Sequence, residues 1–233
     1  MPPLAFTPPL LKNSLPSVKK LQFIYLHGFA SSPQSAKAVY LRDRFAAVHQ
    51  TLQVPDLNQD DFTQLTLTRQ LQQVSAQLPT DEPVTLIGSS FGGLTAAWLA
   101  EQYPQVQKLV LLAPAFAFLS HWLPQLGTEK IQQWQQQRYL MVYHYGEKRS
   151  LPLSYEFARD VPQYNDDHLL RPVPTLIIHG IHDEVIPIQV SRDFAAKRSW
   201  VQLIEVDSDH DLGNVMPETW QAIQTFCQLQ YRE

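Results

Sequence analysis

Two kinds of pattern alternate along the chain: short runs that are apolar at nearly every position, and longer stretches whose apolar residues recur at helical spacing. Residues 21–26 (LQFIYL) form an apolar and aromatic run ending at His27-Gly28, which predicts a strand. Residues 35–48 carry Ala38, Leu41, Phe45 and Val48 at helical spacing, with Ser35 placed to cap the N-terminus. Residues 52–56 (LQVPD) predict a short strand stopped by Pro55, and residues 65–78 an amphipathic helix ended by Pro79. A buried strand over 83–88, an Ala-rich helix over 93–103 and a strand over 106–114 follow. Further on, 173–180, 191–197, 200–206 and 217–230 read strand, helix, strand, helix.

Strands and helices of these lengths in alternation predict βαβ units and a mostly parallel sheet. The runs VTLIG, KLVLLA and TLIIHG have no polar face, as expected where helices cover both sides of the sheet. From about Phe116 to Leu169 the rhythm fails. This stretch is rich in Gln, Trp and Tyr and too long for a plain connection, so it predicts a small helical cap over the site. Residues 1–20 (MPPLAFTPPLLKNSLPSVKK) read as a Pro-rich arm, and 21–233 as a single α/β domain. The arm makes a poor signal peptide, because prolines cut its apolar pieces and no small-residue cleavage site follows.

Composition narrows the function. A chain of 233 residues with 44% hydrophobic and 17% charged residues has the make-up of a soluble globular protein. Its net charge of -4 and absence of basic runs argue against nucleic-acid binding and stable membrane association. The one cysteine, Cys227, makes no internal disulfide, which suits a reducing, cytoplasmic setting. It reads as a small apolar filler of the last helix rather than a nucleophile.

Glycine carries the candidate chemistry. The chain has 8 glycines, and three of them, Gly88, Gly92 and Gly93, fall within six positions. Gly88-Ser89-Ser90-Phe91-Gly92 fits G-x-S-x-G, whose register makes Ser90 the central serine. Placed between a buried strand and a small-residue helix, the motif predicts a sharp turn that lifts the Ser90 hydroxyl above the sheet. Gly88 and Gly92 would let strand and helix approach without a Cβ between them. A serine hydroxyl needs a base, and the base an orienting acid. In chain order the candidates are Asp183, after the strand ending near His179, and His210, after the last strand. All three would sit at the C-terminal ends of strands, where open α/β sheets keep their sites. The backbone N–H groups of Phe29 and Phe91 are the expected oxyanion donors.

The segments YLHGFASSPQSAKA, GSSFGG, LLAPAF, IIHGIHDEVIP and DHDL resemble the α/β-hydrolase superfamily and, more narrowly, the small bacterial YqiA-like esterases. The resemblance runs from about residue 21 to the end. It implies the α/β-hydrolase fold and a serine hydrolase acting on small carboxylic esters or thioesters. It carries Ser90 over as nucleophile, Asp183 as acid and His210 as base, with no cofactor and no metal. Two alternatives use the same residues: acyl transfer to another acceptor, and a ligand-binding protein with a slow triad.

Several residues compete for these roles. His27 precedes the nucleophile and sits where the oxyanion donor belongs, so it reads as shaping that turn rather than as the base. His179 and His182 make H-x-x-H, a spacing that lacks a third ligand for zinc, and His179 reads as a buried, hydrogen-bonded histidine. Asp207, Asp209 and Asp211 flank His210 too closely in sequence to orient its ring. Asp160 is the remaining candidate acid. Trp122, Trp134, Tyr139, Tyr143 and Tyr145 would either wall an acyl pocket or fasten the cap to the body.

Overall fold

The computed structural model describes residues 21–230. The Pro-rich arm over residues 1–20 lies outside the described residues. Six strands form one wholly parallel sheet: β1 (Gln22–Leu26), β2 (Leu52–Gln53), β3 (Val84–Ser89), β4 (Val106–Leu112), β7 (Thr175–Gly180) and β8 (Val201–Val206). Their order is β2-β1-β3-β4-β7-β8, which puts β3 between β1 and β4.

The strands divide their side chains by parity, as a pleated strand must. Phe23, Tyr25, Ile87, Val110, Leu112, Leu176 and Ile178 enter one core with α1 (Ala36–Ala47) and α8 (Met216–Cys227). Ile24, Leu26, Leu86, Leu109, Leu111 and Ile177 enter the other. That second core holds α2 (Leu67–Ser75) and α3 (Phe91–Gln102), with α7 (Gln189–Ala196) packed against it. Both faces of the sheet are therefore covered, which is why these strands show no polar side. Each fully buried Leu, Ile or Phe contributes about 1.5–3 kcal/mol. Local signals set the helix starts. Ser35 caps α1 by accepting the Ala38 N–H, and Thr66 caps α2 by accepting the Arg69 N–H. Pro104 lies just past the end of α3. The α2 helix is shorter than the periodicity predicts, because Thr66 caps it inside the predicted span and it stops at Ser75.

The segment between β4 and β7 holds α4 (Phe118–Leu126) and α5 (Thr128–Gln137), then an antiparallel hairpin of β5 (Tyr139–His144) and β6 (Arg149–Ser154), then α6 (Glu156–Asp160) and two 3₁₀ turns. The helices agree with the sequence reading; the hairpin adds to it. The period of two in β5 is hidden because its outward positions are apolar or aromatic like its inward ones. Leu140 and Leu153 pair inward, while Tyr139, Met141 and Tyr143 point out at 49, 58 and 50% exposure. Trp134 is the buried residue of α5, and its indole N–H donates to the Leu153 carbonyl at 2.9 Å. The glutamines around it form a solvated face.

Candidate active site

Ser90 sits between β3 and α3 with φ +53 and ψ −120, a backbone conformation that L-residues avoid. Such strain costs on the order of 1–3 kcal/mol and persists only where surroundings impose it. Here they do. The Ser90 N–H donates to Leu112 O at 2.9 Å, and its carbonyl accepts from Gly93, Leu94 and Ala115. A Cβ at Gly88 would overlap the backbone of Gly92, and one at Gly92 would overlap the carbonyls of Leu26 and His27. The two glycines thus let the start of α3 press onto the ends of β3 and β1, leaving the serine at the helix N-terminus. The positive end of the helix dipole favours negative charge there.

The Asp183 loop follows β7 and the His210 loop follows β8. Gly180 holds them together, since a Cβ there would overlap the carbonyls of Ser208 and Asp209. His210 Nδ1 lies 2.7 Å from Asp183 Oδ2, and its Nε2 lies 3.0 Å from Ser90 Oγ. A carboxylate only accepts, so Nδ1 carries the hydrogen and Nε2 is free to accept from the serine hydroxyl. Asp183 Oδ1 accepts the N–H groups of Val185 and Ile186 at 2.9 and 2.8 Å. Burial alone would raise the Asp183 pKa. The close His179 N–H and the hydrogen bonds from His210 and the Ile186 N–H outweigh it and hold the carboxyl well below the usual carboxylate range.

The first loop closes the site from the β1 side. A Cβ at Gly28 would lie 3.4 Å from Ser90 Cβ, so the loop runs directly alongside the serine. Leu57 N–H donates to Nε2 of the buried His27, whose Nδ1–H then reaches Gly28 O at 3.0 Å. His27 therefore shapes the turn and lies on no path to Ser90. Asn58 Nδ2 donates to Ser31 O and Tyr145 N–H to Ala30 O, stitching the loop to its neighbours. The Phe29 ring lies 5.2–6.3 Å from the rings of Phe62, Phe91, Phe118, Trp122 and Phe157, joining the body to the β4–β7 segment.

The other candidates fall elsewhere. Asp160 accepts the Thr68 N–H at the start of α2. Asp207 pairs with His182 at the surface at 2.9 Å, and Asp209 accepts the Asp211 N–H. His179 turns away from His182 into the core, and no cluster of metal-ligating side chains occurs among the described residues. The five aromatic residues grouped in the sequence part company. Trp122 packs edge-on against Phe29 and Trp134 fastens α5 to the hairpin, while Tyr139, Tyr143 and Tyr145 face outward. Cys227 is buried, its thiol pushed up to about 12 by burial. A shallow groove of about 460 Å³ along Leu126, Gly127, Thr128 and Lys130 includes none of the residues around Ser90.

Two contacts had no sequence signal. Lys37 of α1 donates from Nζ to Asp211 O at 2.9 Å, bracing the His210 loop across 174 residues. Burial lowers its pKa against the pull of Asp211. His179 reaches Asp183, a partner its sequence position does not name.

A parallel sheet with a serine elbow after its central strand, and an acid and a histidine on the two loops beyond, defines an α/β hydrolase. The chain belongs to the family described as Uncharacterised protein family (UPF0227), which it matches over residues 22–227. Both findings agree with the resemblance carried by the sequence segments. No curated protein matches the chain. Among solved structures, Est1E from Butyrivibrio proteoclasticus with bound ferulic acid is similar at 18% identity and TM-score 0.74, covering 90% of this chain and 89% of that one. A putative hydrolase from Agrobacterium vitis S4 is similar at 23% identity and TM-score 0.77, covering 90% and 88%. Alpha/beta hydrolase domain-containing protein 10 from mouse follows at 20% identity, TM-score 0.69 and 89% of each chain. At these identities the likeness is one of fold. No helix among the described residues is long and apolar enough to cross a membrane.

Proposed function

We propose that the chain is a serine hydrolase that cleaves small carboxylic esters or thioesters through an acyl-enzyme. The observation that carries this reading is the continuous line from Ser90 Oγ through His210 to Asp183, at 3.0 and 2.7 Å, ending on a strained elbow serine. His210 Nε2 takes the hydroxyl proton as Ser90 Oγ attacks the ester carbonyl. Negative charge moves to the carbonyl oxygen, which the N–H groups of Phe29 and Phe91 receive. The intermediate collapses, the C–O or C–S bond breaks, and His210 returns the proton to the leaving group. Water then attacks the acyl-serine with the same base and releases the acid and free Ser90. Asp183 holds the ring's tautomer and stabilises the imidazolium. The three side chains and two N–H groups supply the whole sequence, so it calls on no metal or cofactor. The net charge and single buried thiol fit a small-molecule enzyme of the cytoplasm.

The test is a panel of acyl-chain esters and thioesters run against wild type and Ser90→Ala, with a fluorophosphonate probe. We expect labelling at Ser90 and a loss of at least about a thousandfold in kcat for Ser90→Ala. Hydrolysis that survives the substitution, or an unlabelled Ser90, would overturn the reading. Excess alcohol or amine in the same assay reports acyl transfer as a new ester or amide product.

A further inference from the structure

Behind Asp183 lies a second histidine that the mechanism above does not use. His179 belongs to β7 and is fully buried. Its Nε2 lies 2.9 Å from Ile186 O and 3.0 Å from Asp183 Oδ2. Both neighbours are acceptors, so this nitrogen carries a hydrogen, which is bonded to Ile186 O and lies close beside Asp183 Oδ2. Its Nδ1 lies 2.7 Å from Oγ of Ser191, a buried residue of α7. The Ser191 hydroxyl then donates to Nδ1 and fixes that tautomer. Asp183 therefore accepts three hydrogen bonds, two backbone N–H groups on Oδ1 and His210 on Oδ2, and the His179 N–H lies close beside that same Oδ2. The two histidines compete for one oxygen.

We infer that His179, held by Ser191, is a positioning residue that sets how firmly Asp183 holds the His210 imidazolium. This rests on the hydrolase reading above. The positive end of an N–H beside Oδ2 offsets part of the carboxylate's charge, so the imidazolium is held less tightly and the base stays free to lower pH. Removing His179 concentrates that charge on His210. The other groups near His210 stay in place: Ser90 at the elbow, Lys37 from α1 through Asp211, Asp209 and Asp211 in its own loop, and the surface pair of His182 and Asp207.

The experiment follows the His210 ring by NMR titration in wild type, His179→Phe, His179→Gln and Ser191→Ala, beside pH–rate profiles with a short p-nitrophenyl ester. In His179→Phe the His210 midpoint and the acid limb of kcat/KM both move up, by about half to one pH unit. KM stays at its wild-type value. In His179→Gln, whose side-chain N–H can reach the same oxygen, the midpoint returns most of the way. Ser191→Ala moves it in the same direction as His179→Phe but less. A folded His179→Phe whose midpoint is unchanged or lower overturns the inference. If His179→Phe does not fold, an unmoved midpoint in Ser191→Ala overturns it instead. The NMR midpoint does not depend on turnover, so absence of hydrolysis in every variant would count against the esterase reading and not against this one.

Discussion

Two sequestered aspartates, one at the site and one in the β4–β7 segment, have opposite fates. Asp183 accepts three hydrogen bonds, has the His179 N–H 3.0 Å from Oδ2, and its pKa falls. Asp166 meets one, the Ala117 N–H at 2.7 Å, while the Trp98 indole lies near its other oxygen without hydrogen-bond geometry. Burial therefore dominates, and the Asp166 pKa is raised to about 6. The number of donors aimed at the carboxylate decides which way a desolvated acid moves. Two glycines, one in the body and one in the segment, also contrast. Gly92, in the body, is hemmed in by the carbonyls of Leu26 and His27, whereas Gly127, between α4 and α5, has open space and a φ of +79.

The largest effect should come from removing the charge at the well-supplied acid. Asp183→Asn should lower kcat by about ten-thousandfold, as an orienting acid in a triad does, with the fold retained by circular dichroism. Asp166→Asn should change kcat less than about twofold, since it lies outside the Ser90–His210–Asp183 line. Equal losses in the two variants would erase the contrast. Next in size is the glycine pair. Gly92→Ala should cost about 3 kcal/mol or more in urea unfolding, because a Cβ would collide with backbone. Gly127→Ala should cost about 1 kcal/mol, from its left-handed backbone alone. The smallest effect is a pH dependence of opposite sign. Asp183 has a depressed folded pKa, so its stabilisation is present at neutral pH and is lost as pH falls below about 4. Asp166 has a raised one, so its contribution is full below about 4 and lost as pH rises through 6. Thermal melts of Asp166→Asn between pH 4 and 7 should show a flatter profile than wild type.

How far the sequence could be read depends on the range of each interaction. The G-x-S-x-G register and its strand-then-helix setting are local, so the Ser90 turn was legible from a few residues. Asp183 and His210 were legible because each follows an apolar strand at the position where parallel sheets present loops. The β5–β6 hairpin was hidden because Tyr139, Met141 and Tyr143 are apolar in character yet face solvent. The roles of Lys37 and His179 depend on groups brought near by folding. Lys37 looks like any surface lysine of an amphipathic helix, and only the tertiary structure sets it on Asp211 O. His179 could be read as buried and hydrogen-bonded. Which oxygen it meets depends on how the Asp183 loop turns back over the end of β7.

The contact between Ser90 and His210 joins residues 120 positions apart and draws on the elbow after β3 and the loop after β8, a strand at the sheet's edge. Contacts of such sequence separation form slowly, because the chain must close long loops before any contact rewards it. On refolding, helical signal should recover first. Reactivity at Ser90 should return only when β8 has docked on β7, so labelling of this serine would report the moment at which the edge strand joins the sheet.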